Sequence, residues 1–113
     1  MLSYRDRGIL LQMVKCCDRI LSKIQDVTFE TFEQDEDLRE IICFNLLQIG
    51  ELAKNYSGDF IKEFSNVPWK QIKGMRDKVA HGYGTLDLDL VYNTSKTDVP
   101  ELLHYCQNIL EKA

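Results

Sequence analysis

No stretch of this 113-residue chain approaches the roughly 20 consecutive apolar residues that a membrane-spanning helix requires. The longest candidates, Ile9-Leu10-Leu11 and Ile41-Ile42-Cys43-Phe44, are short and closely flanked by charge. Met1 to Gly8 lacks the apolar centre of a secretory leader, so export is not expected and a cytoplasmic location is. The four cysteines, Cys16, Cys17, Cys43 and Cys106, show no C-x2-C spacing, and no nearby histidine suggests a zinc site. That excludes the usual zinc patterns, and reduced thiols behaving as small hydrophobes are the simplest reading. No metal or other cofactor is expected. Internal repeats and low-complexity linkers are absent as well. Positive charge is not in excess: the formal net charge is −4, which argues against broad, non-specific coating of nucleic acid. Histidine is scarce, with only His81 and His104 in the chain.

What is present is ordinary for a globular protein: 44% apolar and 28% charged residues, enough for one domain with a modest core. Apolar periodicity is helical. Ser3 and Asp6 mark a helix start of the capping-box kind, and the spacing predicts a helix over about Tyr4 to Asp26. Its inward stripe is Leu10, Met13, Val14, Cys17, Ile20, Leu21 and Ile24. Val27 to Glu33 is a connector whose Phe29 and Phe32 should tuck onto the bundle. A second long helix is predicted over about Asp35 to Tyr56, its acidic first turn matched to the helix dipole. Leu38, Ile41, Ile42, Asn45, Leu46, Ile49, Leu52 and Ala53 form its stripe. Gly50 in mid-helix signals either close approach of another helix or mere tolerance.

Ser57-Gly58-Asp59 reads as a turn, and 60–64 as at most a short helix. Pro68 suits the first position of a further helix carrying Trp69, Ile72, Met75, Val79 and Ala80 inward and ending at Gly82 or Gly84. Leu86 to Leu90 alternates like a strand, but a lone strand would have no partner, so Asp87 is expected to cap another helix. The terminal helical region should bend or restart at Asp98-Val99-Pro100. The expected fold is an all-α, up-and-down bundle of four or five helices.

The densest chemistry lies in Arg76-Asp77-Lys78-Val79-Ala80-His81-Gly82-Tyr83. Arginine grips anionic oxygens with a planar fork, and histidine moves protons near neutral pH. Together they suit a phosphodiester substrate. The spacing alone is equally met by a surface arginine and a histidine at a helix C-terminus. On an ideal helix His81 lies about 140° from Arg76, so the two do not share a face, whereas Tyr83 nearly shares that of Arg76. Metal-free RNA cleavage needs a base, an acid and a cation at phosphorus. His81 is the candidate base or acid and Arg76 the clamp, with Tyr83 a hydrogen-bond donor or positioning group. One histidine per motif leaves a second proton-transfer group missing, which favours two motifs facing one cleft in a homodimer.

Arg76-x4-His81-x-Tyr83 resembles the R-x4-H-x-Y signature of HepT-like, HEPN-domain ribonuclease toxins of prokaryotic HEPN/MNT toxin–antitoxin pairs. Asn45 to Lys54 is similar to that family's second-helix segment, Pro68 to Met75 to its W-x2-I-x-G-M lead-in, and residues 87–92 and 98–102 to its last helical region. The resemblance implies a single domain over residues 1–113 and a HEPN-like homodimer with the motifs lining a cleft. It implies metal-independent endoribonuclease activity, with Arg76 and His81 catalytic. The implied partner is a minimal nucleotidyltransferase antitoxin that in some pairs transfers AMP onto the motif tyrosine, here Tyr83. Asp77 departs from the asparagine frequent in relatives, and an acid there could orient His81 or repel RNA. Tyr92 stands where tryptophan is common. Asn45, Gln48 and Glu51 are candidate supports of the cleft, with solvated or structural roles equally open. His104 reads as a surface residue and Trp69 as core. The alternative function is a non-catalytic helical module that binds and positions a nucleotidyltransferase.

Overall fold

The computed structural model describes residues 2–77, 79 and 87–112, and among these there is no strand. Its elements are α1 (Tyr4–Ile24), α2 (Phe29–Gln34), α3 (Glu36–Ala53), α4 (Gly58–Glu63), α5 (Trp69–Lys73), α6 (Leu88–Asn93), a π-helical turn (Thr94–Asp98) and α7 (Val99–Lys112). The all-α architecture is as expected, with α1, α3 and α7 its long members. α1 packs along both α3 and α7, and α5 leans on α3.

Helix starts follow side-chain oxygens that satisfy otherwise orphaned N–H groups. Ser3 accepts from the Asp6 N–H at 3.0 Å, and Asp35 accepts from the Leu38 N–H at 3.1 Å. Ser57 does the same for Phe60 at 3.1 Å, and Asp87 for Leu90 at 3.1 Å. The last of these confirms a helix where the alternating leucines imitate a strand. After α1 the chain reverses through Asp26, whose φ of 63° is left-handed, a conformation in which Asp is more tolerated than most residues.

The core is one apolar cluster running from Leu10, Met13, Cys17 and Ile20 on α1 through Ile42, Leu46 and Ile49 on α3 to Val99, Leu102 and Cys106 on α7. Phe29 and Phe32 do tuck inward, meeting the Tyr92 ring, but their segment is the helix α2 rather than an irregular connector. Tyr56, Phe60, Phe64 and Trp69 make a second aromatic group, with Tyr56 stacked on Phe60 at 4.0 Å. Trp69 is core, its indole N–H donating to the Phe64 carbonyl at 2.9 Å. All four thiols are buried and free, and burial raises each above its ordinary value, Cys106 to about 12.

Two readings shift in detail and a third gains its physical cause. The helix begun at Trp69 is interrupted at Gly74 before residues 75–77 and 79, again helical, and its expected end at Gly82 or Gly84 lies outside the described residues. The expected restart beside Pro100 is present: the α-helix resumes at Val99 directly after the π-helical turn Thr94–Asp98. Proline has no N–H and its ring crowds the carbonyl four residues back, and widening the turn at Thr94–Asp98 relieves both. Ile41, assigned to the inward stripe of α3, is instead exposed.

Candidate functional site

α3 and the helical segment 75–77 meet at Gly50. A Cβ built there would lie 2.8 Å from the Arg76 Cβ and 2.9 Å from the Arg76 backbone nitrogen, with the Lys73 carbonyl oxygen at 3.2 Å. Only hydrogen fits at that crossing. Of the two readings of Gly50, close approach is the correct one.

The approach places Glu51, the next residue on α3, against the motif arginine. The Arg76 Nε lies 2.7 Å from Glu51 Oε1. Both side chains are about half exposed, so the pair contributes at most about 1 kcal/mol to stability. Its effect is geometric. A guanidinium held at its Nε turns the opposite edge of its planar fork away from that carboxylate. Lys54, one turn on from Glu51, approaches the same oxygen at 3.5 Å. Two cations thus gather on one carboxylate, a locally positive spot in an acidic chain. Sequence reading gave Lys54 no role, although its i,i+3 spacing from Glu51 is the signal that points to it.

Asn45 is buried, as its place in the stripe predicts. Its Nδ2 donates to the Ile41 carbonyl at 2.8 Å, and its Oδ1 is buried with no hydrogen-bond donor among the described residues. Leaving such an acceptor unmet costs about 1–3 kcal/mol. Gln48 is exposed and shares a face with Glu51. Ile41, Phe44, Gln48 and Glu51 recur at 3,4,3 spacing, so they fall within about 80° of one another around α3. Ile41 is 37% and Phe44 56% exposed, so an apolar strip leads along α3 to the Arg76 contact. Asp77 is exposed. His81 and Tyr83 lie outside the described residues, as does Lys78. The structure therefore joins Arg76 to Glu51, with Gln48 on the same face of α3.

Among the described residues no group of three or more His, Cys, Asp or Glu side chains is placed to hold a metal ion, and no helix is long and apolar enough to cross a membrane. His104 is exposed on α7.

Comparison with known proteins supplies the remaining findings. The family description "Ribonuclease HepT-like" matches residues 13–109. "Putative RNase TTE0752" of Caldanaerobacter subterraneus subsp. tengcongensis is 33% identical over 106 residues, covering 94% of this chain and 95% of that protein. "Putative RNase MJ0127" of Methanocaldococcus jannaschii is 28% identical over 105 residues, covering 93% and 87%. "Probable ribonuclease HepT" of Thermococcus cleftensis is 33% identical over 78 residues, covering 69% and 71%. No solved structure matches the chain.

Proposed function

Because this chain belongs to the HepT-like ribonuclease family, we propose that it is a metal-independent endoribonuclease and the toxin of a HEPN/MNT pair. The observation that carries the site assignment is the Arg76–Glu51 contact across Gly50, which holds the motif arginine with one edge of its fork turned outward.

In this reading RNA enters with a phosphate on Arg76. His81 and its counterpart in a second copy divide the proton transfers. One imidazole takes the proton of the ribose 2′-hydroxyl as its oxygen attacks phosphorus. The other donates a proton to the departing 5′-oxygen. Arg76 stabilises the extra charge on the non-bridging oxygens, a role whose removal elsewhere costs about 10²–10³ in rate. The strand is cut to a 2′,3′-cyclic phosphate and a 5′-hydroxyl. The exposed Ile41–Phe44 strip supports pairing of two copies beside the site, since apolar side chains of that size gain from being covered.

The nucleotidyltransferase partner controls Tyr83. The phenolic oxygen attacks the α-phosphorus of ATP, pyrophosphate leaves and the phenol's proton is lost. The attached AMP then brings bulk and negative charge where an RNA phosphate would sit. Asp77, Asn45, Gln48 and Glu51 act behind the reacting groups, by orienting Arg76 or His81.

The test is cleavage of a labelled RNA by the purified chain in excess EDTA, comparing wild type with Arg76→Ala and His81→Ala. Wild type should cut, and each variant should lose about 10²-fold or more. Wild type that leaves RNA intact and does not slow growth when expressed without the partner sinks the toxin reading. Variants that cut like wild type sink the site.

A further inference from the structure

A cavity of about 410 Å³ opens between α5, the turn after it and the start of α7. Its apolar lining includes the buried Ile72, Met75 and Leu102. Around it stand Asp98, Glu101 and Tyr105, with Glu101 exposed and Tyr105 half-buried. Asp98 already accepts from the Thr97 hydroxyl at 3.3 Å, so Glu101 is the carboxylate more open to a ligand. No lysine or arginine lines the cavity among the described residues, although Lys70 and Lys73 lie on the same helix as Ile72.

This chemistry is opposite to that of the Arg76 site. The exposed Glu101 carboxylate repels RNA phosphates, and the apolar lining gives a sugar–phosphate chain nothing to bind. A long cation fits on each count. Its aliphatic stem covers Ile72, Met75 and Leu102, its charge meets Glu101, and its plane can lie on the Tyr105 ring. Arginine meets all three requirements better than lysine, because its guanidinium is flat, weakly hydrated and able to engage a carboxylate bidentately. The volume is in the range of ligand pockets and leaves space for flanking backbone, for which the exposed Gln71 carboxamide offers hydrogen bonds.

We infer that this cavity is a docking site for an arginine-bearing segment of a partner protein. Met75 lines it and the adjacent Arg76 faces Glu51, so the docked segment and Arg76 occupy two sides of one helical turn. A partner held here lies one residue along the chain from Arg76. The inference is independent of whether the chain cuts RNA.

The test is amide-resolved NMR titration of the full chain with acetyl-Ala-Arg-Ala-amide, its norleucine counterpart, agmatine and a short oligouridylate. The arginine peptide should give saturable shifts at Gln71, Gly74, Glu101 and Tyr105, and should bind at least about fivefold more tightly than the norleucine peptide. Glu101→Gln should weaken it several-fold and Glu101→Lys should abolish it, with the remaining spectrum unchanged. Equal binding of the norleucine peptide, or no effect of either variant, overturns the proposal. Agmatine binding as tightly as the peptide makes this a small-amine site and overturns the docking role. Shifts at these amides from oligouridylate and none from the peptide overturn it too.

Discussion

Glu51 and Asp6 show how a carboxylate's surroundings decide its work. Glu51 is half exposed, so its pairing with Arg76 adds little stability, yet it fixes where the guanidinium turns. Glu51→Gln should change stability by less than about 1 kcal/mol. It should nevertheless lower kcat/KM severalfold, which steady-state cleavage and urea denaturation check side by side. Asp6 is the converse. It is buried and binds Ser57 twice, accepting from its N–H at 2.9 Å and from its hydroxyl at 2.6 Å. Burial pushes its pKa up, but the hydrogen bonds from Ser57 and Ser3 outweigh that and hold it below the ordinary carboxylate value. A carboxylate with a depressed folded pKa contributes stability fully above its unfolded pKa and loses it as pH falls through the folded one. Asp6→Asn should therefore cost about 1–3 kcal/mol at neutral pH. That difference should hold down to about pH 4 and shrink below it, as urea denaturation across pH will show. The local role of Asp6 beside the Ser3 cap is legible in the sequence. Its tie to Ser57, 51 residues away, is not, because no local pattern encodes which turn a buried acid will meet.

At the level of elements, the caps and the 3,4 periodicity carry most of the legible information. Ser3, Asp35 and Asp87 mark helix starts that the structure keeps, and Ser57 adds a fourth inside what reads as a turn. Periodicity failed at Ile41 because α3 has apolar residues around more of its circumference than its neighbours cover, so spacing alone could not say which would remain outside. Gly50 was legible as a question and needed the second helix for its answer. Gly50→Ala should force α3 away from Arg76, since the added carbon meets backbone rather than a flexible tip. A cost of about 1–3 kcal/mol is expected, together with loss of the Arg76–Glu51 geometry. Thermal denaturation and cleavage should fall together. A variant as stable and active as wild type would refute the close-approach account.

For the whole molecule, the family and the all-α bundle were legible because the motif, the α3 segment and the Trp69 lead-in occur together in order. The complete site was not, because a single motif provides one histidine for the two proton transfers of the proposed reaction. Phe44 bears on that gap. If the Ile41–Phe44 strip is covered by a second copy, Phe44→Glu should convert a particle of twice the chain mass into a single chain in sedimentation equilibrium. Its fold should be intact, since an exposed substitution ordinarily changes stability by no more than about 0.5 kcal/mol. Cleavage should drop at least tenfold. A variant that remains paired and active places the interface elsewhere.

In the proposed reaction, Arg76 and His81 drive attack by the RNA's own 2′-hydroxyl. The most direct test of that reaction is the chemistry of the ends produced when the purified chain cuts a labelled RNA in EDTA. The account predicts a 2′,3′-cyclic phosphate opposite a 5′-hydroxyl, and no cut in an RNA whose 2′-hydroxyl is removed at the cleavage position. A 3′-hydroxyl opposite a 5′-phosphate, or undiminished cleavage of the 2′-deoxy substrate, would contradict it.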